Sequence, residues 1–217
     1  MAGRHAYMQP VMILLPRAAL AVLLAPALAI AQERPAAERP PTLPSRDVAV
    51  TYQVSGAATD ALPGGAPGAL RLAWDAAGHR LRVAADGRAQ AAVVDLAGGS
   101  ALIIDQGSRT ALAVPLGARA TEGIALEGAR FRRRGTEEVA GFACTDYAVQ
   151  DRQGSGTLCL TADGVPLRGD GTWGGKPGRF AATRVEYGAQ PDGLFRPPPG
   201  FLQLSLPSKT GPKGTPR

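Results

Sequence analysis

Asparagine is absent from this 217-residue chain, histidine and cysteine occur twice each, and lysine occurs three times. Each shortage removes a class of chemistry. Without Asn there is no N-glycosylation sequon. His5 falls in an export-like N-terminal segment, so the body holds His79 alone. One His beside a bonded cysteine pair cannot supply the ligands of a usual zinc site. A Ser-His-Asp arrangement would need an activated Ser beside His79, and no Gly-x-Ser-x-Gly elbow is present. His79 reads instead as a solvated residue of a hairpin loop. Four Asp-Gly pairs, at Asp86, Asp163, Asp170 and Asp192, lack the spacing of a calcium loop and read as turns. The glycines at 171–175 lack the Gly-Lys-Ser/Thr of a phosphate loop. Glu137 and Glu138 could in principle do acid–base work, but at a turn they read as solvated charges. The expectation is a non-enzymatic protein with no catalytic residue, no metal and no cofactor. Its ligand-binding residues are not identified by any motif.

What is plentiful is Ala, Gly, Arg and Pro, which by codon usage suggests a GC-rich bacterial genome. Arg4 and Arg17 supply positive charge around an apolar run at 18–31, AALAVLLAPALAIA. The run is too short to span a bilayer comfortably and ends in Ala29-Ile30-Ala31, a small-x-small pattern. That reads as a secretory signal peptide over 1–31, cleaved after Ala31. No cysteine lies near that point, which excludes lipid attachment there. The mature protein is therefore expected to be periplasmic and not membrane-anchored. Cleavage removes two Arg and no acids, so the formal charge falls from +6 to +4. Part of that charge is Lys209, Lys213 and Arg217 in the last eleven residues. The body is close to neutral, and no nucleic-acid partner is expected. Arg130, Arg132, Arg133 and Arg134 form the one basic cluster. They read as a solvated strand face near Glu137 and Glu138, with an anionic-lipid or phosphate contact as the alternative.

Residues 32–45, QERPAAERPPTLPS, read as a Pro-rich disordered linker, 46–203 as a single β domain, and 204–217 as a disordered basic tail. Within the domain, strands are expected at 47–55, 69–75, 79–85, 89–96, 101–105, 109–114 and 129–134, with a turn at 135–138. The stretch at 118–126 reads as loop or short helix. In the hairpin of 69–75 and 79–85, Leu72 must face Leu81 or Val83, because a one-residue slip would oppose it to Arg82. The Val83 register sets Asp75 against Arg80, and opposite charges across a strand pair are preferred. Strands then continue to Tyr187. The Pro-rich segment 189–203 is expected to lie across the sheet without joining it, since Pro cannot donate to a ladder. The total is about ten short strands at the spacing of an antiparallel sandwich, barrel or half-barrel.

Cys144 and Cys159 lie in two strands joined by a polar turn, and in an exported protein they are expected to form a disulfide. A redox-active pair would favour Cys-x-x-Cys at a helix start. If the two face each other, the turn centres between Asp151 and Arg152, with Gln150 to Gln153 as its loop. Alternation then puts the cystine on the face with Phe142, Asp146, Thr157 and Thr161. Ala143, Thr145, Tyr147, Leu158 and Leu160 lie on the other face, which is expected to meet the core and any ligand.

The segments VAGFACTDY from Val139, CLTADGVPLR from Cys159, ATRVEY from Ala182 and LFRPPPGF from Leu194 resemble a family of exported bacterial proteins of unknown function. The hairpin ALIIDQ from Ala101 and TAL from Thr110 resembles those of the LolA-like lipoprotein-carrier fold. The resemblance runs from Val48 to Phe201. It implies a mainly β fold: a curved antiparallel sheet, an incomplete barrel, with a helix or loop lid over an apolar concave face. LolA-like members bind lipids or acyl chains there. The chain departs from the carriers in having few residues for a helical lid. The expected function is to bind a lipid, an acyl chain or an acylated protein on the concave face. The alternative is an envelope structural or protein-interaction module without a small ligand.

Overall fold

Alternating apolar residues and closely spaced turn residues build this chain as strands. The computed structural model describes residues 39–56, 68–117, 120–121 and 124–206. The expected signal peptide with its cleavage point, residues 57–67 and the expected tail from 207 lie outside the described residues. The strands are β1 (Val48–Gly56), β2 (Gly68–Asp75), β3 (Arg80–Ala85), β4 (Gln90–Asp95), β5 (Ser100–Asp105), β6 (Thr110–Pro115), β7 (Arg130–Val139), β8 (Phe142–Gln150), β9 (Gly154–Leu160), β10 (Pro166–Trp173), β11 (Lys176–Tyr187) and β12 (Leu202–Ser205). They form one sheet, in the order β12-β6-β5-β4-β3-β2-β1-β11-β10-β9-β8-β7. The sheet is curved, mixed and unclosed. It is two antiparallel meanders, β1 to β6 and β7 to β11, joined where β1 pairs with β11. β12 alone pairs in parallel, against β6.

The β2–β3 register is the one the charges favour, with Leu72 opposite Val83 and Asp75 opposite Arg80. Arg80 donates through both Nε and Nη2 to Asp75 Oδ2, the Nε bond being 2.7 Å. At 118–126 the described residues 120, 121 and 124 are helical, and the Ala125 amide donates to the Thr121 carbonyl.

Four expectations about the bounds of elements are corrected. Residues 135–138 are strand, not turn: β7 absorbs Arg134 as a bulge and reaches Val139. The turn lies instead at Ala140 and Gly141, both at positive φ, the pairing a two-residue hairpin requires. Asp170-Gly171 is likewise inside a strand, β10. Residues 188–201 do cross the sheet, but the chain then joins it as β12, so the domain extends past 203. Finally, residues 39–45 are not a disordered linker but an extended strap. Thr42 Oγ1 donates to the Ala125 carbonyl at 2.7 Å, and Trp74 Nε1 donates to the Pro44 carbonyl at 2.8 Å.

Three buried clusters fill the sheet. The largest gathers Val48, Val50, Tyr52, Val54 and Trp74 with Cys144, Cys159, Val165 and Leu167. A second, on the opposite face of β2 to β5, joins Ala73, Val93 and Ile104 to Phe195 of the crossing segment. Arg82 secures that segment by donating from Nη1 to the Leu194 carbonyl. The third holds Ala129, Val149, Leu158 and Leu160, with Phe131 and Tyr147 against them.

Cys144 and Cys159 are bonded, with 5.5 Å between their Cα atoms, but they are not directly opposed. Asp146 faces Cys159 and Thr145 faces Leu160. Asp151 explains the shift. Its Oδ1 accepts from the amides of Gln153 and Gly154, so the turn spans Asp151 to Gly154. Moving the turn centre by one residue moves the register by two, which preserves the face but makes the cystine diagonal. The cystine also lies in the largest cluster, so its face meets the core. The Leu158 and Leu160 face packs a smaller cluster of its own.

Asp163 latches the strap to the sheet. Its carboxylate accepts from Thr161 Oγ1 at 2.6 Å, Tyr187 Oη at 3.0 Å and Arg46 Nε at 2.8 Å, while its carbonyl accepts from the Ser45 amide. The Arg46 guanidinium also stacks on Tyr187, 3.7 Å from the ring centre. Gly164 (φ 92°) lets the strap pass close, because a Cβ there would collide with the Leu43 carbonyl.

The cystine and the latch can each be tested through stability. The loop closed by the cystine has a sequence separation of 15; Cys144→Ala with Cys159→Ala should cost about 3 kcal/mol in urea unfolding. A loss near zero would show that the cystine is not a staple. Burial alone would raise the Asp163 carboxyl, but hydrogen bonds from Thr161, Arg46 and Tyr187 outweigh it and hold it below its ordinary value. A depressed folded value means stability is fully present above the unfolded value and is lost as pH falls through the folded one. The wild type should therefore lose stability below the ordinary carboxyl range, and Asp163→Asn should be less stable at neutral pH with a flatter acid limb. Parallel acid limbs would contradict the latch.

Candidate functional site

The residues that the sequence offered for chemistry are dispersed. His79 lies in the β2–β3 turn at φ 50°, its ring 6.3 Å from that of Trp74. Glu137 and Glu138 sit on β7 instead of a turn. Glu137, Cys144 and Cys159 converge within 4.8 Å of one another, but the two sulfurs are bonded to each other and offer no thiolate.

One polar constellation was not legible in the sequence. Arg168 of β10 lies 2.7 Å from Glu137 Oε1 and 3.8 Å from Asp146 Oδ1. Both carboxylate oxygens are buried and neither makes a well-directed hydrogen bond. The 2.7 Å approach is thus an ion pair of poor angle. Three strands supply this cluster, and only the diagonal cystine register brings Asp146 beside Cys159 and hence beside Arg168. A register two residues earlier would have set Asp146 against Thr157.

The arginine cluster divides. Arg133 shares a cleft of about 410 Å³ with Arg39, Pro40, Tyr147 and Leu160. Arg130, Arg132 and Arg134 line another of about 590 Å³ with Gln150, Ser155 and Thr157. Both clefts are above the roughly 300 Å³ scale of ligand sites, but both are open and rimmed by guanidinium groups.

The apolar candidate is a sheet face. Cross-strand pairing sets Val50, Leu72, Val83, Ala92, Ile103, Leu112 and Leu204 in one lateral row over seven strands. A second row runs Trp74, Leu81, Val94, Ala101 and Val114. Alternation puts both rows on one face. At β1 to β3 this face is filled by the largest cluster. Beyond β3 the filling thins: Ala101 is buried and Leu96 packs against the largest cluster, but Val94, Ile103, Leu112 and Val114 are half-buried and belong to none of the three clusters. At the edge Leu202, Leu204 and Leu206 are 61%, 47% and 53% exposed. The sequence shows the alternation that creates the face. It hides β12, whose Leu-Gln-Leu-Ser follows a Pro-rich stretch.

Arg168 provides a test of the polar cluster. Its charge is partly exposed, so Arg168→Gln should cost only about 1 kcal/mol. Adding Asp146→Asn should recover part of that loss by removing one of two facing carboxylates. Strict additivity in the double-mutant cycle would show that the three groups do not interact.

No family model matches the chain, and no curated protein matches it. Solved structures do. A conserved uncharacterised protein from Thermus thermophilus superposes at TM-score 0.53 with 13% identity, covering 75% of this chain and 91% of that one. The MucA/MucB complex of Pseudomonas aeruginosa matches at TM-score 0.44 and 21% identity, over 68% of this chain and 54% of that one. A domain described as an outer membrane lipoprotein-sorting protein, from Vibrio parahaemolyticus, matches at TM-score 0.34 and 11% identity, over 69% of this chain and 89% of that one. The first of these shows that the chain shares its fold with a solved bacterial protein.

Proposed function

We propose that this is an exported, non-enzymatic binding protein that takes an acyl chain, free or carried by a protein, on the apolar face of β4, β5, β6 and β12. The carrying observation is the pair of apolar rows that leave the filled core and continue, half-exposed, to Leu202, Leu204 and Leu206. Soluble proteins rarely leave such a continuous apolar strip without a partner. The cystine supports the export reading, since disulfides persist in oxidising compartments. No helix among the described residues is long and apolar enough to cross a membrane. The face is open, which suits a chain laid along it better than a ligand sealed inside.

One observation favours protein interaction as the second reading. Leu202 donates its amide to the carbonyl of Arg109, just before β6, and Leu206 to that of Ala113 in β6, which turns the backbone groups of Gln203 and Ser205 outward. That edge offers hydrogen bonds to an added strand.

Protein purified from its host should carry lipid detectable by mass spectrometry and should bind a lipophilic dye. Leu202→Glu with Leu204→Glu should weaken dye binding about tenfold, because two leucine side chains would no longer shield the dye from water. The unfolding midpoint should not move. Empty protein that binds no dye would overturn the acyl reading. Retention of a strand-forming protein partner by that empty protein would support the second.

A further inference from the structure

We infer that the cleft along β7 lined by Arg130, Arg132 and Arg134 is an anion site for a phosphate-bearing group, independent of the apolar face. β7 is the far edge of the sheet. Arg132 faces Ala148, which faces Thr157, and Arg130 faces Gln150, which faces Ser155. Alternation thus places Arg130 and Arg132 on the same face as the Gln150 amide and the Ser155 and Thr157 hydroxyls. The bulge at Arg134 turns a third guanidinium into the same cleft of about 590 Å³. Guanidinium donors fit phosphate oxygens bidentately, and amide and hydroxyl groups complete such a site.

The pairing pattern elsewhere in the molecule sharpens the inference. Arg46, Arg71, Arg80, Arg168, Arg179, Arg184 and Arg196 each lie within 4.0 Å of a carboxylate, the Arg71 contact with Glu186 being at that limit. Among the described residues no such ion pair involves Arg130, Arg132 or Arg134, and all three are exposed; Arg88 and Arg109 also lack one, but they sit in turns and do not line this cleft. Charge on an edge strand deters edge-to-edge pairing, and that accounts for some charge on β7. It does not account for like charges set side by side, since mixed signs protect an edge equally well without self-repulsion. The strand segregates its charges, with arginines at 130–134 and the acids Glu137 and Glu138 beyond the bulge. Along a strand alternate residues lie about 7 Å apart, so Arg130 and Arg132 can engage neighbouring phosphates or one phosphate between them.

The test compares the wild type with Arg130→Gln/Arg132→Gln/Arg134→Gln and with a charge-matched control, Arg71→Gln/Arg88→Gln/Arg109→Gln. Each is measured against inorganic pyrophosphate by calorimetry, and against vesicles of phosphatidylcholine alone or with phosphatidylglycerol by co-sedimentation. The expected result is binding to pyrophosphate, to phosphatidylglycerol vesicles, or to both, reduced at least about tenfold in the β7 variant and little changed in the control, as loss of several charge-assisted bonds requires. Vesicle binding without pyrophosphate binding identifies a lipid headgroup as the source; the reverse identifies a free phosphate compound. No binding to either, or equal losses in both variants, would overturn the site. Dye binding at the apolar face should stay unchanged in the β7 variant, which separates failure here from failure of the acyl reading.

Discussion

The pairing of β1 with β11 is the constraint on which the rest of the structure depends. It joins residues from Val48–Tyr187 to Gly56–Gly178, far apart in sequence, and it is the seam between two otherwise local meanders. The buried side of β1 carries Val48, Val50, Tyr52 and Val54, so the seam and the largest core are one object. Tyr52 shows how tightly it is drawn: its hydroxyl donates to the Pro166 carbonyl at 2.6 Å, and burial pushes its ionisation up. Because so much pairing must wait for this non-local contact, folding should be slow for the chain's size. The strap at 39–45 and the latch of Arg46 to Asp163 then lock the entry to β1 to the turn after β9 and to the end of β11.

The two meanders spend their apolar surface differently. In the β7 to β11 half both sheet faces are occupied, one by the cystine-centred core and the other by Leu158, Leu160 and their aromatic neighbours. Its leftover surface is polar and rich in arginine. In the β1 to β6 half one face is covered by Phe195 and the crossing segment, while the other is filled only near the seam. The leftover surface there is apolar. The molecule thus presents an apolar strip towards one edge and a basic cleft at the other. That combination suits a ligand class with both chemistries, although each site rests on its own observations.

Legibility in the sequence followed the range of the interaction. The β2–β3 register could be read because Asp75 and Arg80 are close in sequence and only one pairing satisfies both charge and face. The strands could be read from alternation, the curved sheet from the family resemblance, and the cystine from the expected export. The cystine's neighbours could not, because Asp151 sets the turn through its own side chain and so moves the register by two. β7 beyond Arg134 was hidden by a bulge, which breaks the period that marks a strand. β12 was hidden because it is four residues long and owes its place to β6 alone. The Arg168, Glu137 and Asp146 cluster needs three registers to be right at once.

The central claim is that the face of β4, β5, β6 and β12 receives an acyl chain. Photo-crosslinking with a fatty acid that carries a diazirine along its chain, followed by mass mapping, tests it most directly. Adducts should concentrate at Ile103, Leu112, Leu202 and Leu204. Adducts confined to the cleft around Phe131 and Tyr147, or scattered without preference, would contradict it.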